Sequence, residues 1–260
     1  MRDPHVTCLR YRLVPSPTVT FDSPPAIEYT TEAFRVELKN GVAAFEMIEH
    51  HASEETAKKR VEEYLRAWEI DAALRFGLGE IHFDFNDADV IDREPPPPGT
   101  SQVIYAKATA GAIGLVGNVT VHVTRRQYPE APEAFIASPD VETMWRRYEG
   151  YLEGREPLAS MAYACLTTLE ASAGGRTRAV EQYGIGLSVL RKLGYLATQV
   201  GDEATARKFT ELRERRPHTG SERAWVEAAV KALIRRAGEW ASDPQVPHRK
   251  ITMADLPRLE

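Results

Sequence analysis

The chain has 260 residues, 43% hydrophobic and 27% charged, which is enough apolar material for one or two packed domains and excludes wholesale disorder. No apolar run approaches the ~18–20 residues of a membrane span, and Met1-Arg2-Asp3-Pro4-His5 is not a signal-peptide core, so a cytoplasmic protein without membrane contact is expected. The net charge of −5 gives no overall nucleic-acid footprint, and two cysteines, Cys8 and Cys165, are too few for a disulfide framework or a thiolate metal site.

In chain order, the front half reads as strands around one long helix. Leu9, Tyr11 and Leu13 alternate with Arg10 and Arg12, the period of a half-buried strand. Phe34, Val36 and Leu38 alternate with Arg35 and Glu37; Asn40-Gly41 then suits a type I′ turn into a partner strand, Val42 to Met47. Ser53 is an N-cap candidate, with Glu54 and Glu55 at the positive end of a helix dipole. Ala57, Val61, Tyr64, Leu65, Trp68 and Ala72 fall on one face of that helix, which Gly77 or Gly79 can end with a left-handed cap. Ile81, Phe83 and Phe85 alternate with His82 and Asp84 in another strand. After the stiff run Pro95 to Gly99, strands are expected over Val103 to Ala108 and Val119 to Thr124. The glycine-rich Gly111 to Gly117 matches no nucleotide fingerprint and reads as a tight turn.

Past residue 135 the period becomes helical. Helices are expected over Val141 to Leu152, Leu158 to Ala173 (ended by Gly174-Gly175), Thr177 to Tyr183, Leu187 to Val200, Glu203 to Arg213, and Glu222 to Ala241 capped by Ser221. Short connections imply a bundle. The expectation is therefore an α+β chain: a β-rich domain with one long helix over 1–135, an all-α bundle over 136–243, and an extended tail over 244–260.

Charge is unevenly placed. Residues 175–236 hold 13 Lys and Arg against 7 Asp and Glu, while residues 1–174 hold 17 against 27. A basic segment on an acidic protein is either an anion or nucleic-acid footprint, or a set of solvated helices beside an acidic neighbour domain. Within the basic segment Arg215, Arg216, Arg235 and Arg236 are the candidate phosphate contacts. The densest set of ligand-type side chains is His50-His51 with His82, Asp84, Asp87, Asp89 and Asp92. The solvated face of a sheet explains it as well as a metal does, so neither metal nor cofactor is assigned.

One segment carries the elements of acid–base chemistry: Leu212-Arg213-Glu214-Arg215-Arg216-Pro217-His218-Thr219-Gly220. Arg213 could stabilise charge on a phosphate, and His218 could take the proton of an RNA 2′-hydroxyl for attack on its own phosphodiester. The alternative reading is a polar interhelical loop. Together with the apolar helix Ala162 to Glu170 and the helix around Leu187 to Val200, this segment makes residues 140–242 resemble the HEPN family, and the two-part layout resembles its ApeA-like branch. HEPN domains occur in bacterial toxin–antitoxin and phage-defence proteins. The resemblance implies a helical bundle, a homodimer, and in many members a metal-independent RNase built on an Arg-x4–6-His pair, here Arg213 and His218. Other members are non-catalytic dimerisation or nucleic-acid-binding modules. Two residues depart from the family pattern: Glu214 follows the Arg where Asn, His or Asp is usual, and Pro217 holds Arg216 extended, keeping His218 out of the last helix. The expectations are nucleic-acid contact through the helical half, with RNA as the candidate partner and RNA cleavage by Arg213 and His218 on one reading. On the other the bundle is a non-catalytic dimerisation module and the front domain senses a partner or ligand.

Overall fold

The structure is a computed structural model and describes residues 3–94, 122–202 and 213–259. The chain divides into two units, Met1–Pro132 and Glu133–Glu260. The connector 95–99, the strand over 103–108, the glycine turn 111–117 and nearly all of the helix over 203–213 lie outside the described residues. No described helix is long and apolar enough to cross a membrane.

The first unit is built on β1 (Pro4–Pro15), β3 (Ile27–Thr30), β4 (Phe34–Lys39), β5 (Val42–Met47) and β6 (Ile81–Asp92), with the short β2 (Val19–Phe21) and β7 (Val123–Arg125) paired in parallel beside them. The five strands form an antiparallel sheet in the order β3-β4-β5-β1-β6. The β4–β5 turn is the one Asn40-Gly41 predicts, with φ of 51° and 75° at its two central residues. The helix α1 (Glu54–Phe76) starts at Ser53, whose hydroxyl accepts the Thr56 amide. It ends at Gly77 with φ 125° and ψ 168°, an extended positive-φ glycine in place of the expected left-handed cap.

One face of the sheet and one face of α1 share a core: Leu9, Tyr11, Val36, Leu38 and Phe45 pack with Ala57, Val61, Leu65, Trp68 and Ala72. Burying this set supplies roughly 1.5–3 kcal/mol for each large side chain, offset by the entropy of ordering the chain. Trp68 is fully buried, and its indole N–H donates to the Pro129 carbonyl at 3.0 Å. The Tyr128 hydroxyl accepts the Gly41 amide at 2.8 Å, so the strap 128–131 closes over the same core.

β6 runs seven residues past the alternation that reveals its start, because two irregularities shift its phase. β1 carries an extra residue at Thr7 and β6 an extra residue at Asn86. The inward set therefore changes from Ile81 and Phe83 to Ala88 and Val90. The acidic run along β6 is a row of cross-strand ion pairs: Arg10 grips Asp87 and Asp89 at 2.6 Å each, and Arg12 reaches Asp84 at 3.3 Å. Among the described residues no group of three or more His, Cys, Asp or Glu side chains is arranged to hold a metal ion.

The second unit contains α2 (Pro139–Leu152), α3 (Leu158–Ala173), α4 (Arg176–Gln182), α5 (Leu187–Gln199) and α6 (Gly220–Ser242), plus a two-residue parallel pair, β8 (Val200–Gly201) with β9 (Glu214–Arg215). Among the described helices α3 is central and packs on α2, α4, α5 and α6. Its buried Cys165 has its thiol pushed up to about 12 by burial, so it remains a protonated core group. Gly174 ends α3 in the left-handed region, φ 75° and ψ 30°. α6 begins two residues earlier than Ser221 suggests. Thr219 is its cap, in a reciprocal box: the Thr219 hydroxyl accepts the Glu222 amide and the Glu222 carboxylate accepts the Thr219 amide. The tail is docked rather than free, since the Ile251 amide donates to Gly184 O at 2.9 Å and the Gly186 amide to Ile251 O at 2.7 Å.

Candidate nucleic-acid interface

The amphipathic α5 sets the geometry. Val189, Leu190, Leu193, Leu196 and Ala197 are buried in the bundle, while Arg191, Tyr195, Thr198 and Gln199 fall on the opposite face at i, i+4, i+7 and i+8. This polar face forms one wall of a cavity of 330 Å³, completed by Arg176, Arg213 and Tyr163. Arg176 opens α4, and its Nε donates to Glu170 at 2.5 Å. Arg191 is exposed and makes no ion pair among the described residues. No carboxylate is among the described residues lining the cavity.

The segment with Arg213 and His218 forms the edge of this cavity, and its members separate into two roles. Arg213 is exposed and lines the cavity. Glu214, the departure from the family pattern, accepts from the Tyr195 hydroxyl and from Arg216 Nε at 2.9 Å; these two bonds, the tyrosine's foremost, hold its carboxyl below the usual range. Arg216 then forks onto Glu222, with Nη1 to Oε2 at 2.7 Å and Nη2 to Oε1 at 2.8 Å. Glu222 is 7% exposed and its carboxyl is lowered to about 2, chiefly by Arg216. Arg216 thus ties β9 to the start of α6.

His218 is 6% exposed, and its Nε2 lies 3.0 Å from the Leu196 carbonyl. A carbonyl only accepts, so Nε2 carries the proton and the ring is spent on joining the loop to α5. No hydrogen bond connects Arg213 with His218 among the described residues. Arg236 is similarly consumed: it is 7% exposed and donates to Tyr183 O at 2.8 Å, Arg249 O at 2.9 Å and Glu239 at 2.9 Å. It clamps the tail onto α6. Arg215 is exposed on β9, and Arg235 is half-buried on α6.

Two larger cavities are less suited to an anion. One in the first unit, 610 Å³, carries Arg75, Arg125 and Arg126, but Glu80 and Glu130 share its lining. Arg125 there is closed on Glu80 at 2.7 Å, and Arg75 on Asp71. The other, 680 Å³ at the α2–α3 elbow, carries Arg146, Arg147 and Arg155; Arg147 and Arg155 pair with Glu156 and Glu153, and Glu156 shares the lining. Of the three, the cavity on α5 is the one with no carboxylate among its described lining residues, and of its arginines only Arg176 is paired among the described residues, with Glu170.

Sequence reasoning singled out Arg213 but not Arg176, Arg191, Tyr163 or Tyr195. The signal for two of them was present in the i, i+4, i+7 spacing of polar residues along α5; Arg176 and Tyr163 reach the cavity only through the packing of α3 and α4 on α5. Comparison of the chain with protein-family models, with curated proteins and with solved structures finds no match.

Proposed function

We propose that the second unit is a HEPN-like module that binds single-stranded RNA at the polar face of α5 and does not cleave it through Arg213 and His218. The observation that carries this reading is the convergence of Arg176, Arg191 and Arg213 on one cavity beside Tyr195, with no carboxylate in the described lining. Guanidinium groups neutralise phosphates and stack on bases, and tyrosine rings offer a platform for unstacked bases, the combination that single-stranded nucleic acid uses. The basic bias of residues 175–236 supports the same choice. The burial of His218 and its bond to Leu196 favour binding over catalysis, because a general base must reach the proton it removes. The homodimer implied by the HEPN resemblance is part of this proposal.

The test is fluorescence anisotropy of a labelled single-stranded RNA in EDTA, followed by a gel of the same mixtures. Wild type should bind with a salt slope that falls by about 0.7 for each phosphate-binding arginine removed, hence by about 1.4 in Arg191→Ala/Arg213→Ala. Intact RNA on the gel is expected with wild type and with His218→Ala. Cleavage by wild type that His218→Ala abolishes would overturn the non-catalytic assignment, and a double variant that binds like wild type would remove the site.

A further inference from the structure

Even with Arg176 offset by Glu170, the α5 cavity keeps two further guanidiniums, Arg191 and Arg213, more positive charge than one passing phosphodiester needs. An internal phosphodiester presents one negative charge and two free oxygens, which one arginine satisfies. A terminal phosphomonoester presents about −1.5 to −2 and three acceptor oxygens. Arg191 and Arg213, with Arg176 beside them offset by its bond to Glu170, match the second better.

Gly194 gives an independent sign that the cavity is built. It stands inside α5, where glycine is less favourable than alanine. A Cβ there would lie 3.3 Å from Arg176 Nη2 and 3.3 Å from a Leu166 methyl. The missing side chain lets the Arg176 guanidinium lie against the helix. Its Nε is tethered by Glu170, which orients the guanidinium and leaves the Nη groups for a ligand. The cavity volume of 330 Å³ is at the small end of ligand sites, the size of one nucleotide and not of a strand.

We infer that the α5 cavity is a terminal-phosphate pocket: it takes the phosphomonoester end of an RNA, with the three guanidiniums on the phosphate and Tyr195 beside the end nucleotide. This rests on the RNA-binding reading and narrows it to strand ends. The chemistry is shared by 5′- and 3′-monophosphates, and the experiment separates them.

One oligoribonucleotide would be prepared with a 5′-phosphate, with a 3′-phosphate, and with hydroxyls at both ends, and each titrated against the full chain. One phosphorylated form should bind about tenfold tighter than the hydroxyl form, the effect of one or two added charge-assisted hydrogen bonds. That preference should vanish in Arg191→Gln, an exposed position whose replacement leaves the helical circular dichroism unchanged. Gly194→Ala, which favours the helix but crowds Arg176, should reduce the preference while holding or raising the melting temperature. Equal affinity for all three RNAs would overturn the terminal-phosphate pocket and leave the RNA-binding reading standing. No binding of any of them would overturn both. A preference that persists in Arg191→Gln and in Gly194→Ala would place the phosphate elsewhere and overturn the assignment.

Discussion

Replacing Arg216 by Met removes the guanidinium that grips Glu222 and, through Glu214, ties β9 to α6. Glu222 reports the size of the effect. A carboxyl lowered from 4.5 to about 2 corresponds to about 3.4 kcal/mol at ~1.36 kcal/mol per pH unit. The Thr219 amide still bonds the carboxylate in the variant, and the Arg216 side chain is 39% exposed and screened by water. The expected loss is therefore about 1.5 kcal/mol near pH 7. The sign with pH follows from a lowered carboxyl: its stabilisation is complete above its unfolded value of 4.5 and disappears as pH falls toward about 2. Urea unfolding of wild type, Arg216→Met and Glu222→Gln, followed by the helical circular dichroism, should show the gap between wild type and Arg216→Met narrowing by about half near pH 3. RNA affinity of Arg216→Met should match wild type. A gap that is absent, or equal at both pH values, would refute the assignment of Arg216 to the fold. So would a loss of RNA affinity with stability intact, which would make it a phosphate contact instead.

Three further outcomes are expected. Gly238→Ala should lose about 1–3 kcal/mol in thermal or urea unfolding, because its Cβ would stand 2.2 Å from the ring of Phe135, itself 7% exposed; an unchanged melting temperature would mean that the ring can move aside. Arg236→Met should release the tail, seen as faster hydrogen exchange at the Ile251 amide, with α6 protected as before; unchanged exchange would show that Gly184 and Gly186 hold the tail alone. His5 is held below the ordinary histidine value by burial and then by His50, whose ring stacks on it at 5.1 Å. The folded state thus prefers the neutral ring, and stability falls as pH drops below about 6.5. An NMR titration should place the His5 midpoint below that value, and His50→Ala should raise it without restoring it fully; a midpoint at or above 6.5 in wild type would contradict the cause.

Local rules read much of this fold directly from residues. Asn40-Gly41 needs positive φ at both positions, so the hairpin was legible, and Ser53 and Gly174 marked helix ends for equally local reasons. What escaped depended on partners distant in sequence. The acidic run 84–92 resembles a ligand set until β1 supplies Arg10 and Arg12 opposite it. The end of β6 was hidden by the extra residues at Thr7 and Asn86, which break the alternation that periodicity relies on. At the site, the Arg213 to His218 spacing was visible, but spacing says nothing of burial. The bond from His218 to Leu196 and the grip of Arg216 on Glu222 exist only once α5 and α6 are packed. For the same reason four arginines of similar appearance in sequence differ once folded: Arg216 and Arg236 hold elements together, Arg215 is exposed and Arg235 is half-buried.

The most direct test of the central claim is the affinity of single-stranded RNA for wild type and for Arg191→Ala/Arg213→Ala in EDTA at two salt concentrations. Salt-sensitive binding by wild type is expected, with a clear loss of affinity and a shallower salt slope in the double variant, and no cleavage product in either. Binding that is absent from wild type, or identical in the two proteins, would contradict the claim.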